Sequence, residues 1–143
     1  MHTVVTRRRG TRERKAIGIV EEVLVIGPKG KIPVFAKIDT GAARTTLDTD
    51  LVAKAGLGPV MDHVRIRASA ANAPEKRDVV RAKVIIAGRE FDVAVAVTDR
   101  KDMRYHMIVG MDILRDSGFL VDPSKGKGPE NGARASPHPT SFK

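Results

Sequence analysis

No cysteine occurs among the 143 residues. That excludes a disulfide framework, a thiolate zinc site and a cysteine nucleophile, and it fits a reducing compartment. Tryptophan is absent too, and the aromatic side chains amount to four phenylalanines and one tyrosine. A core made from this chain is therefore aliphatic, and a stacking platform for single-stranded nucleic acid is hard to assemble. Long apolar runs are also missing. The stretch from Ile17 to Ile26 is broken by Glu21 and Glu22, and nothing approaches the roughly 18 residues of a membrane span. With no signal-like segment either, the expectation is a soluble, cytoplasmic protein of one domain.

Positive charge is what the chain has in excess, formally +9. It is unevenly placed: residues 1–15 carry +5, residues 123–143 carry +3, and residues 16–122 only +1. Charge held in the ends governs solubility and weak polyanion association through the tails more than it specifies a fold. The expected organisation is a flexible basic arm (1–15), a folded domain (16–122) and a disordered basic tail (123–143). The tail holds four of the eight prolines and almost no apolar residue.

Within the domain the pattern is that of short strands. Ile17 to Ile26 reads as one or two strands ended by the turn Gly27-Pro28-Lys29-Gly30, with a return strand from Ile32 to Ile38. Pro33 marks that strand as an edge or a beginning. A Gly/Thr-rich loop is expected over Asp39–Thr46, then a helix over Thr49–Ala55, capped by Asp48 or Thr49 and stopped by Gly56. Val64, Ile66 and Ala68 alternate with arginines as a half-buried strand, Ser69–Arg77 reads as a hairpin tip, and Val79–Ile86 and Phe91–Val97 read as strands about a Gly88-Arg89 turn. Met107-Ile108-Val109 is a short buried strand. Met111–Ser117 reads as a helical turn or two closed by Gly118, and Phe119–Val121 as a last strand.

The chemistry concentrates where the strand ending at Ile38 runs into Asp39-Thr40-Gly41-Ala42. Glycine there permits close backbone approach, and threonine sets a hydroxyl beside a carboxylate leaving a sheet. Alone, such a tripeptide is a turn. It is accompanied, some 70 residues later, by Ile108-Val109-Gly110-Met111-Asp112-Ile113-Leu114: an apolar pair, a glycine and a helical turn.

In this order and spacing, over roughly residues 17–123, the chain resembles the retropepsin-like aspartic proteases. Lys37–Leu47, Thr98-Asp99-Arg100 with Met103-Arg104-Tyr105, and Val121-Asp122-Pro123 look closer still to a prokaryotic branch, often labelled ATP-dependent zinc proteases and associated with ATP-grasp ligases. The resemblance implies a mostly β, retropepsin-like acid-protease barrel with one or two short helices and an active site at a two-fold dimer axis. It implies an aspartic endopeptidase in which Asp39 is catalytic, Thr40, Gly41 and Ala42 support the loop and the substrate backbone, and Ile108, Val109 and Gly110 pack beneath it. Two carboxylates about 3 Å apart share the proton that such hydrolysis needs. With a single Asp-Thr-Gly, the second must come from a second chain, so a homodimer acting on a peptide or protein substrate is expected.

Departures from the viral pattern are Ala43-Arg44, where acidic residues often stand, Gly110-Met111 in place of Gly-Arg, and a flap tip without a glycine pair. Asp116-Ser117-Gly118 follows a helical turn rather than a strand, and reads as a helix stop. His2, His63, His106 and His138 are scattered, so the zinc of the branch's label has no ligand motif, and neither metal nor cofactor is expected. No Gly-x-Ser-x-Gly elbow occurs. Gly27-Pro28-Lys29-Gly30-Lys31 lacks the spacing of a phosphate loop. The rival readings are a non-catalytic dimeric peptide-binding module on the same fold, and a nucleic-acid binder using the basic tails.

Overall fold

The computed structural model describes residues 13–66 and 74–126. Residues 1–12, 67–73 and 127–143 lie outside it, and with them most of the expected arm and tail and the tip of the expected flap. The chain runs β1 (Lys15–Ile17), β2 (Val20–Gly27), β3 (Gly30–Ile38), β4 (Thr46–Asp48), α1 (Thr49–Ala55), β5 (Asp62–Ile66), β6 (Glu75–Ile86), β7 (Arg89–Thr98), β8 (Met107–Val109), α2 (Met111–Leu114) and β9 (Phe119–Val121).

Six strands close a barrel in the order β2-β3-β8-β4-β7-β6, with β6 returning to β2, and β5 adds to the outside of β6. The 12-residue β6 serves both roles. Its second half pairs with β2 from Lys83 to Ile86, while its first half pairs with β5 and leaves the barrel as a hairpin. Inward alternation drives closure: Val80, Ala82, Val84 and Ile86 are buried, while Arg81 and Lys83 face out. Against them pack Phe91, Val93 and Val95 of β7, Val23 and Val25 of β2, and Met107 and Val109 of β8. As composition required, the core is aliphatic, and among the described residues its aromatic pair is Phe91 edge-on to Phe119 at 6.0 Å.

Pro33 lies mid-strand, opposite Leu24. Its stretch of β3 is paired on one side only, because β8 joins at Ala36; that open side accommodates a residue without an amide proton. α1 spans the expected residues. Asp48 caps it by accepting from the Asp50 amide, and Gly56 ends it at φ 72°.

Two segments differ from expectation. Thr46 belongs to strand β4 rather than to a loop, and Glu75, Lys76 and Arg77 belong to β6 rather than to a hairpin tip. The packed unit also reaches past residues 16 and 122. Lys15 pairs with Phe119 in a parallel β1–β9 ribbon, and the Ile19 amide donates to the Lys125 carbonyl at 2.9 Å. Among the described residues, no helix is long and apolar enough to cross a membrane.

Candidate active site

β3 and β8 are parallel neighbours, with Ile38 opposite Val109. The next residue on each strand is Asp39 and Gly110, so two segments 70 residues apart in sequence emerge side by side. The Asp39 amide donates to the Val109 carbonyl at 2.9 Å, which extends the ladder by one bond and fixes where the carboxylate leaves the sheet. Beyond it the chain turns back: the Ala42 amide donates to the Asp39 carbonyl at 3.1 Å, and the Gly41 amide donates to Asp39 Oδ1 at 2.9 Å. A Cβ at Gly41 would stand 3.3 Å from that oxygen, so glycine keeps the carboxylate uncrowded. Asp39 is half-buried, Thr40 and Gly41 are exposed, and Ala42 is half-buried. The loop thus offers one carboxylate and a threonine to whatever faces it.

The loop is held from below by the start of α2. The Met111 amide donates to the Ala42 carbonyl at 2.8 Å and the Asp112 amide to the Ala43 carbonyl at 3.2 Å. Gly110 sits where a Cβ would come within 2.8 Å of the Ala42 oxygen and the Arg44 carbonyl carbon, so backbone passes backbone at that point. Ile108 is half-buried and Val109 buried, between β3 and β4.

Asp112 completes the support. Its Oδ2 accepts from the Thr45 amide at 2.9 Å, and its Oδ1 accepts from the Thr45 hydroxyl at 2.7 Å and from its neighbour Ile113 at 2.8 Å. The buried Thr45 hydroxyl in turn accepts from the Gly110 amide at 3.1 Å. Burial raises the Asp112 carboxyl above its ordinary value, against the hydrogen bonds from Thr45 and Ile113 and the charge of Arg44. Asp112 and Thr45 were not singled out by the sequence reading. The available signal was an acidic residue two positions after the glycine of an otherwise apolar segment.

Ser117 of the Asp-Ser-Gly triplet is fully buried. Its hydroxyl donates to Leu114 at 3.0 Å and accepts from the Phe119 amide at 2.9 Å, and Gly118 adopts φ 82°. The expected helical stretch to Ser117 is shorter, since α2 ends at Leu114 with Arg115 as its C-cap, and the triplet lies in the turn between α2 and β9.

Residues 24–113 match the family described as aspartyl protease. The chain belongs to the aspartyl protease family. Its fold is the retropepsin-like one: the EIAV protease in complex with the inhibitor HBY-793 superposes with TM-score 0.57 at 20% identity, covering 80% of this chain and 98% of that one. A retropepsin-like aspartic protease from Rickettsia conorii gives TM-score 0.52 at 18% identity, covering 85% of each chain. A Legionella pneumophila protein of unknown function gives 0.54 at 19% identity, covering 79% of this chain and 96% of that one. No curated protein matches the chain significantly.

Among the described residues, no three His, Cys, Asp or Glu side chains gather where they could hold a metal ion. His63 faces Asp78 across the β5–β6 hairpin at 3.1 Å, and His106 is exposed where the chain enters β8.

Proposed function

We propose that this protein is an aspartic endopeptidase whose active site forms when two chains bring their Asp39 carboxylates together. The observation that carries the reading is the fixed exit of Asp39 from β3, with its amide on Val109 and its Oδ1 under the Gly41 amide, over a loop pinned by Gly110 to Asp112. In a facing pair, one carboxylate is ionised and the other holds the shared proton. The ionised group takes a proton from a water lying between them, and the water oxygen attacks the peptide carbonyl carbon. The protonated group gives its proton to the carbonyl oxygen, leaving a tetrahedral diol. One carboxyl then gives its proton to the amide nitrogen while the other takes a proton from a diol hydroxyl, so that the C–N bond breaks, the carboxylic acid forms and the pair again holds one proton. Thr40 braces the facing loop, Gly41 presents backbone to the substrate, and Ala42 supports both. Ile108, Val109 and Gly110 hold the floor, and the β5–β6 hairpin covers the peptide.

The test is digestion of a peptide library over a range of pH by the wild-type chain and by Asp39→Asn. Loss of cleavage with the dimer intact on sedimentation supports the enzyme. Undiminished cleavage by Asp39→Asn overturns it, and a dimer that binds peptides without cleaving any supports the non-catalytic module.

A further inference from the structure

Strand alternation decides which side chains share a face of the sheet with Asp39. Ala36 and Ile38 of β3, and Met107 and Val109 of β8, point into the barrel and are buried. Lys37 and Ile108, opposite each other in the ladder, therefore point out of it. The bond from the Asp39 amide to the Val109 carbonyl carries the same register one residue further. Asp39 thus leaves on the face that holds Lys37, two residues and roughly 7 Å along the strand. Ile38 alone separates them, and it faces the other way.

The registers continue the row to both sides of Lys37. Val20 stands opposite it on β2, and beyond Ile108 come Thr46 on β4, Ala96 on β7 and Val79 on β6. Val20, Thr46, Ala96 and Val79 are buried and Ile108 is half-buried, whereas Lys37 is exposed. Of these six residues, five are neutral and the charge belongs to the position nearest Asp39 along β3. Among the described residues Lys37 makes no ion pair, although Glu22 stands diagonally across from it on β2. An extended peptide advances about 3.4 Å per residue, so a side chain flanking a bond cut at Asp39 comes within reach of the Lys37 ammonium. The flexible four-carbon stem lets that ammonium turn to meet it. Covering the ammonium with a neutral side chain strips water from an unpaired charge, which is unfavourable, and a carboxylate supplies the missing partner.

We propose that Lys37 is a specificity-determining residue that takes the carboxylate of a Glu or Asp next to the cleaved bond. The inference rests on the protease reading for turnover, but not for binding. In a two-fold pair one Lys37 falls to each side of the bond, so either flanking residue can be the acidic one. The full chain is given peptides that differ by Glu, Gln or Lys at single positions around one cleavable bond, with amidated and free C-termini. The expected Glu-over-Gln ratio in kcat/KM is about tenfold at the flanking positions and falls towards one further away. Lys37→Met should bring the flanking ratio to about one, and Lys37→Glu should make Lys the preferred residue there. Because Lys37 is exposed, both variants should fold as the parent does, and circular dichroism checks this. Lys37→Gln replaces any variant that does not fold. A flanking ratio that survives in Lys37→Met, one that follows the free C-terminus instead, or no ratio at all overturns the role of Lys37 and leaves the protease standing. Binding of the same peptides is read separately by fluorescence anisotropy on the Asp39→Asn chain, with and without Lys37→Met. A Glu preference that depends on Lys37 there, with no cleavage by the parent chain, overturns the protease reading and leaves the carboxylate site.

Discussion

At the scale of single residues, the site depends on a carboxylate that does no chemistry. Asp112 satisfies the Thr45 amide, the Thr45 hydroxyl and the Ile113 amide at once. Asp112→Ala leaves those donors without an acceptor, and a loss of about 3 kcal/mol in urea unfolding is expected. The loop carrying Asp39 should loosen with it, seen as faster hydrogen exchange at Ala42 and Met111. The pH dependence has a definite sign. Burial raises the folded-state value of Asp112 above that of the unfolded chain. The folded form then binds a proton that the unfolded form does not, so this contribution is full below the unfolded value and is lost as pH rises through the folded one. Asp112→Asn should remove that slope. The stability difference between the two proteins should change as pH rises from the ordinary carboxylate range upward, and parallel curves would show that the group does not titrate there. Asp39 was legible in the sequence because a strand runs into Asp-Thr-Gly and a second motif lies at the right distance. Asp112 was not, because an acidic residue near the start of a helix has an ordinary local explanation, and its partner Thr45 is 67 residues away.

Elements read well where periodicity and caps agree. α1 was legible from Asp48, Leu51, Ala55 and Gly56, and the alternation of Phe91 to Val95 gave β7 its inward face. β4 was missed because its three residues, Thr46, Leu47 and Asp48, are all buried. Two of them are polar, so no alternation betrays a strand lying between β7 and β8. Closure of the barrel by β6 against β2 is likewise non-local, and no window of sequence contains it. Asp48 ties these elements together, since one carboxylate caps α1 and also holds the β7–β8 loop through the Arg100 amide. Asp48→Ala should therefore cost about 3 kcal/mol, more than the roughly 1 kcal/mol of a helix cap alone. A loss near the smaller value would show that the loop bond adds nothing. Ala87, in the β6–β7 turn, adopts φ 49°, a region where a side chain is strained and glycine or asparagine is not. Ala87→Asn is expected to stabilise the protein by up to about 1 kcal/mol, provided that the Lys15 contact to the residue 87 carbonyl survives.

For the whole molecule, the two ends of the described chain belong to the fold rather than to its periphery. Arg89 donates to the Ser117 and Glu13 carbonyls at 2.7 and 2.8 Å and lies over the Phe119 ring, clamping β1 and β9 to the barrel. Ile17 of β1 is almost fully buried. A chain trimmed to residues 13–126 should keep its melting temperature within about 3 °C and lose polyanion binding together with its salt dependence. Starting instead at residue 18 removes a core side chain and should cost about 3 kcal/mol. Together these outcomes would separate the charge from the fold, at a boundary other than the one composition alone drew. Dimerisation is the demand that the single Asp-Thr-Gly places on the whole. Below the dissociation constant the dimer concentration varies as the square of the chain concentration, so specific activity should fall on dilution. A stricter test adds Asp39→Asn chain in an amount equal to the wild type, at concentrations where all chains are paired. Random exchange then leaves a quarter of the dimers wild type in a population twice as large, and a mixed dimer has one carboxylate where two are required. Activity should drop to about half. A rate unchanged by the added variant, under conditions where subunits are seen to exchange, would mean that each chain works alone.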